Sequence, residues 1–249
     1  MTDSVLFDKL LQLRIPAFRA GLQEQQSNPH YAELSFEERL TLLVDLECTR
    51  RLDNRLHRHL KLAEFPIQAA IEELDFTPGR GLDRRQILEL AQGNWIYNHL
   101  NLLILGPTGC GKSYLASAFG SAACRSGFNV RYLRTYRLLH ELTKSRLDGS
   151  YANFLRSLAR IDVLIFDDWM RDPISVASSQ DLLEVFDDRF NRSSTIIASQ
   201  IPVAEWHARF PDPTLADAIL DRLVHNSYRL SLLGESQRKL RAIRTMPIT

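Results

Sequence analysis

The octapeptide Gly106-Pro107-Thr108-Gly109-Cys110-Gly111-Lys112-Ser113 stands between the apolar run Leu102 to Leu105 and a helix-compatible stretch beginning Tyr114-Leu115-Ala116. A G-x-x-x-x-G-K-[ST] pattern set between a strand and a helix is a phosphate-binding, or Walker A, loop. Its glycines let the backbone curl until successive N–H groups point at phosphate oxygens, and the following helix adds the positive end of its dipole. Lys112 is placed to reach the β- and γ-phosphates of ATP, and the Ser113 hydroxyl to join a Mg2+ shell. The expected nucleotide contacts run from Gly106 to Tyr114. No other feature of the chain constrains its fold as strongly as this strand, loop and helix.

A second element supplies carboxylates. Val163-Leu164-Ile165-Phe166-Asp167-Asp168 is four apolar residues ending in two acids, the form of a Walker B strand buried in a parallel sheet and opening at its C-terminal edge. It lies about 55 residues after Lys112. Asp167 is the expected Mg2+-side carboxylate beside Ser113. Asp168 is expected to orient the water that attacks the γ-phosphate, work often given to Glu. Its shorter side chain predicts slow or partner-dependent hydrolysis, because positioning dominates phosphoryl transfer.

The bulk properties narrow the class. A chain of 249 residues with 45% hydrophobic content suits one soluble core plus an appendage. Its net charge of +1 excludes a globally basic DNA-coating protein, so any nucleic-acid contact must come from local patches. Cys48, Cys110 and Cys124 are odd in number and far apart, which argues against a disulfide framework or a zinc site and for a reducing cytosol. The start Met1-Thr2-Asp3 carries no basic and then apolar signal, and no apolar run approaches the roughly 20 residues that cross a bilayer. A cytoplasmic protein without membrane contact is expected.

Three segments follow from the patterning. Residues 1–65 read as a small helical domain: Leu6, Leu10 and Leu11 repeat at helical spacing, Pro16 interrupts, and Ser35 to Glu38 form a capping box before Leu40, Leu43 and Val44. Its last turns are basic, and Arg51, Arg55 and Arg58 share one helical face that could lie along a phosphate backbone or remain a solvated face. Residues 66–100 form a linker and the start of the nucleotide-binding module; around Pro78, Gly79 and Gly81 the linker argues against regular structure, and it can serve as a wall of the adenine pocket. From 101 onward, apolar runs at 102–105, 130–133, 163–166, 195–198 and 228–232 alternate with helical segments. That alternation predicts an α/β fold, a parallel, doubly wound five-stranded sheet with helices on both faces.

These motifs, with the segments Ile196-Ile197-Ala198-Ser199-Gln200-Ile201-Pro202, Leu220-Asp221-Arg222-Leu223-Val224-His225 and Gly234-Glu235-Ser236-Gln237-Arg238, resemble the IstB proteins. Those are ATP-binding helpers of insertion-sequence transposases, related to the DnaC helicase loaders within the AAA+ superfamily of P-loop NTPases. The resemblance spans about residues 5 to 244. It implies that Gln200 stands where the family has a sensor I Asn, and that Arg222 resembles an arginine finger acting in a neighbouring subunit's site. An alternative leaves Arg222 paired with Asp221 or Asp217 on its own helix. Arg238 matches the arginine of the family's Gly-x-Ser-x-Arg segment, which senses nucleotide. With only about ten residues after it, a full lid domain is not expected.

A finger given in trans implies head-to-tail self-association into a ring, spiral or filament that depends on ATP. Lys144 and Arg146, read as a basic loop after the helix that follows the second strand, are the expected DNA contacts there, through the backbone rather than by base stacking. The implied function is an ATPase that assembles on duplex DNA, remodels it and recruits a cognate transposase, nucleoid-associated when active. A DnaC-like loader acting on single-stranded DNA and a replicative helicase is the nearest alternative. A GTPase is disfavoured by the missing Asn-Lys-x-Asp segment, and a small-molecule kinase by the Asp167–Asp168 pair; a scaffold that binds ATP with little turnover stays open.

Overall fold

The computed structural model describes residues 2–234. The chain divides into two compact units that meet between Arg58 and His59, inside a helix, whereas the patterning had put the change near residue 65.

The first unit is helical: α1 (Thr2–Gln12), α2 (Pro16–Ser27) and most of α3 (Phe36–Ala63). Pro16 starts α2 rather than breaking a helix, as its missing N–H and preset φ favour. The capping box at α3 forms in both directions, the Ser35 amide donating to Glu38 Oε2 at 2.8 Å and the Glu38 amide to Ser35 Oγ at 3.2 Å. Glu47, buried on α3, accepts from the Ala17 amide at 3.0 Å and from Arg50 and Arg51, so it ties the start of α2 to α3.

The second unit is an all-parallel sheet of β1 (Asn101–Leu105), β2 (Val130–Arg134), β3 (Val163–Asp167), β4 (Ser194–Ser199) and β5 (Ser227–Ser231), in the order β2-β3-β4-β1-β5. The expected five strands are all present. β3 and β4 are buried along their whole length, as strands covered on both faces must be. Short helices α4 (Arg84–Ala91) and α5 (Asn94–Tyr97) precede the sheet, and residues 66–83 are irregular apart from one 3-10 turn. The crossovers are α6 (Lys112–Arg125), α7 (Thr135–Leu147) with α8 (Tyr151–Ala159), α9 (Val176–Arg189), and α10 (Pro213–Val224). An aromatic group of Phe166, Trp169, Phe186 and Trp206 packs the core just behind the carboxyl end of β3, with neighbouring ring centroids 5.2–6.0 Å apart. That packing holds the segment after Asp167 against the sheet.

Candidate functional site

β1 delivers the chain to Gly106 at the carboxyl edge of the sheet, and the loop closes on α6, whose first residue is Lys112. Gly106 has φ 151°, and a Cβ there would stand 2.5 Å from the Leu232 carbonyl oxygen and 2.9 Å from Cys110 Sγ. Gly111 precedes the helix at φ 107°, in the half of backbone space that other residues avoid. Both glycines are thus required by the path of the loop. Lys112 Nζ donates to the carbonyls of Gly106 and Pro107, each at 2.8 Å, and so folds over the loop it would share with phosphates.

Ser113 begins α6 beside the end of β3, and its hydroxyl donates to Asp167 Oδ2 at 2.7 Å. Asp167 is buried; it also accepts from the Tyr132 hydroxyl and, through Oδ1, from the Asp168 amide at 2.9 Å. Burial first, and then the Asp167 charge, push the Tyr132 phenol well above the usual range, so it remains a neutral donor. Thr135 Oγ1 holds the Asp167 carbonyl at 3.0 Å. Asp168 adopts φ 56° just past β3; Gln200, one residue beyond β4, accepts from Thr108 Oγ1 at 2.5 Å. A cleft of about 520 Å³ gathers Thr108, Lys112, Ser113, Asp167, Asp168 and Gln200, a size suited to a small-molecule ligand.

The apolar end of the same cleft is walled by the linker. Leu74 and Leu82 of the linker line it together with Leu115 and Leu232. Arg80 ties this wall to the phosphate loop: Nη2 donates to the Cys110 carbonyl at 3.1 Å and Nη1 to the Asp75 carbonyl at 2.8 Å. Tyr114 reaches the wall too, its hydroxyl donating to Glu73 Oε2 at 2.8 Å. The donor set fits Mg2+, since the Ser113 hydroxyl and the Asp167 carboxylate converge in an all-oxygen corner. Among the described residues no group of three His, Cys, Asp or Glu could hold a metal, and a Mg2+ held by Ser113 and Asp167 would complete its shell with water and phosphate oxygens.

The sequence profile described as "IstB-like ATP binding protein" matches residues 8–245. The chain belongs to the IstB-like ATP-binding family. It is 44% identical over 232 residues to the insertion sequence ATP-binding protein y4pL of Sinorhizobium fredii, covering 93% of this chain and 95% of that one. It is 45% identical over 219 residues to the IS1162 ATP-binding protein of Pseudomonas fluorescens, covering 86% and 94%. Among solved structures, DnaI matches with TM-score 0.56 at 18% identity over 71% of this chain and 93% of its own. AMPPCP-bound DnaA from Aquifex aeolicus matches with TM-score 0.58 at 15% identity, over 74% and 57%. At those identities the likeness is one of fold, the AAA+ P-loop fold.

The remaining site residues of this IstB-like chain are scattered. Arg222 stands in the last turn of α10 beside the start of β1, where its carbonyl accepts from Asn101 Nδ2 at 3.0 Å. Its guanidinium pairs with Asp187 of α9 and donates to the Ala218 carbonyl at 2.6 Å. The alternative pairing within its own helix is corrected: Asp217 and Asp221 face His207 and His225 instead. The Lys144–Arg146 segment is not a loop but the last turn of α7, because Leu138, Leu142 and Ser145 carry a buried helical stripe through it. Lys144 is exposed, whereas Arg146 pairs with Asp181 at 2.5 Å and Glu184 at 3.3 Å and lies 3.7 Å over the Tyr151 ring. On α3, Arg51, Arg55 and Arg58 are exposed, and Arg51 donates to Glu47 at 2.9 Å. Arg238 lies outside the described residues. Sequence reasoning missed Tyr132, buried behind Asp167, and Arg80 and Arg171 of the cleft; only Arg80 carried a local signal, its place between Gly79 and Gly81.

Proposed function

We propose that this chain is an ATPase that assembles head to tail on duplex DNA, remodels it and recruits a transposase in the bacterial cytoplasm. ATP binding builds the assembly and hydrolysis resets it. The observation that carries this reading is the separation between the phosphate loop and Arg222. β1 runs from Asn101, beside Arg222, to Leu105, before the loop, so four steps of about 3.3 Å put them some 13 Å apart along the strand alone. Arg222 therefore has no route to its own phosphates and suits a neighbour's site. The insertion-sequence naming of its relatives supports a transposase partner and a DNA substrate.

Within one site, the loop amides and Lys112 bind the β- and γ-phosphates, and Ser113 and Asp167 hold Mg2+, which neutralises phosphate charge. Asp168 and Gln200 orient the attacking water. Lys144 is the better of the two proposed DNA contacts on α7, since Arg146 already has carboxylate partners. Arg51, Arg55 and Arg58 stay proposed as backbone contacts, and Arg238 as a nucleotide sensor.

The test is steady-state ATP hydrolysis without DNA, with single-stranded DNA and with linear duplex, using Lys112→Ala as the blank. Stimulation by duplex above single strand is expected, with DNA binding that weakens by orders of magnitude from about 50 to 200 mM salt. Preference for single strand would favour a helicase-loading role, and activity indifferent to DNA would refute the proposal.

A further inference from the structure

Asp168 is not free in the cleft. Arg171 Nη1 lies 3.2 Å from Asp168 Oδ2, and the same guanidinium reaches Asp172 through Nη2 at 2.7 Å. The Arg171 guanidinium carbon stands 5.6 Å from the centre of the Tyr136 ring, within cation–π range. Arg171 lines the cleft together with Lys112, Ser113, Asp167 and Gln200. The sheet order then decides which end of a nucleotide it meets. β5, whose tail brings Leu232 to the apolar wall, is at one edge of the sheet, while β3, which ends at Asp167, lies three strands away. A base on the apolar wall and phosphates over the loop put the terminal phosphate beside Asp168 and Arg171.

The partners that hold Arg171 are weak competitors. Their side chains are 36% and 57% exposed for Asp168 and Asp172, and water screens ion pairs so exposed. A terminal phosphate carries more charge and presents the planar oxygen pair that an arginine fork binds best. A diphosphate, one phosphate shorter, leaves that place empty.

We propose that Arg171 is a γ-phosphate-binding residue that rests on Asp168 until a nucleoside triphosphate arrives. The transfer of the guanidinium from carboxylate to phosphate distinguishes triphosphate from diphosphate. It also releases the Asp168 carboxylate to orient water, so the residue proposed to activate water is occupied whenever there is nothing to hydrolyse. This rests on the reading that the cleft binds ATP.

The experiment is calorimetric titration of the full chain with ADP and with a non-hydrolysable triphosphate analogue, each with Mg2+, for wild type, Arg171→Ala and Arg171→Lys. Arg171→Ala should lose about tenfold or more in analogue affinity, near 1.4 kcal/mol, while ADP stays within about twofold. Retained ADP binding shows that the variant is folded. Arg171→Lys, which keeps the charge but not the fork, should fall between. Equal losses for both nucleotides, or unchanged analogue affinity, overturn the inference while the cleft reading survives. Wild type that binds neither nucleotide removes the cleft reading and this inference with it.

Discussion

Tyr132→Phe removes one hydroxyl and nothing else from the centre of the site. The ring, buried and edge-on to Phe65 at 6.4 Å between centroids, fits as well without it. Asp167 then goes from three donors to two, keeping Ser113 Oγ at 2.7 Å and the Asp168 amide at 2.9 Å. Hydrogen bonds to charged groups contribute about 1.5–3 kcal/mol, and with two donors left the low end applies, about 1.5 kcal/mol. At about 2–4 °C per kcal/mol for a unit of this size, the midpoint should fall by about 3–6 °C. Trp95, Trp169 and Trp206 are the three tryptophans of the chain and all are buried in the second unit, so their fluorescence in a thermal or urea scan reports this unit alone. The folded-state pKa of the phenol is raised above its ordinary 10, so its contribution is fully present below pH 10 and lost only as pH climbs toward the raised value. The penalty should accordingly be flat from about pH 6 to 9. A loss under about 0.5 kcal/mol, or one that disappears by pH 9, would refute the assignment of Tyr132 as a neutral donor to the Walker B carboxylate.

Two more perturbations test the scaffold. Gly120 of α6 has no room for a methyl group, since a Cβ would stand 2.5 Å from Phe65 Cε1 and 2.9 Å from Ile165 Cδ1; overpacking at about 1–3 kcal/mol should outweigh the roughly 1 kcal/mol helix gain, and Gly120→Ala that proves more stable in urea would contradict this. Glu47 is held down at about 2, chiefly by Arg50, with help from Arg51 and the Ala17 amide, so its stabilisation is present above its ordinary 4.5 and lost as pH falls toward 2. Glu47→Gln should lower helical-unit stability at pH 7 by on the order of 1 kcal/mol, measured by circular dichroism, with the gap to wild type closing between pH 4.5 and 2; a gap that does not change with pH would exclude this account.

The parts of this protein legible in its sequence are those whose causes are local. Five apolar runs became five strands, the octapeptide became the loop it spells, and Ser35 with Glu38 closed a cap three residues apart. The Lys144–Arg146 segment was misread because its charges suggested a loop, while the helical stripe through Leu138, Leu142 and Ser145 was already there to be counted.

By itself, then, the sequence determined the sheet's composition, the phosphate loop and the two carboxylates at the end of one strand, because each depends on neighbours within a few residues. Only the tertiary structure decided who stands beside them. Tyr132 meets Asp167 across 35 positions, Arg146 meets Asp181 across 35, and Arg80 meets Cys110 across 30. The first follows from the strand order β2-β3-β4-β1-β5, which brings β2 beside β3, and the other two from how α7 meets α9 and how the linker meets the phosphate loop. The fold also set Arg222 beside the start of β1, at the opposite end of that strand from its own phosphate loop, and no spacing along the chain encodes which strand ends are neighbours.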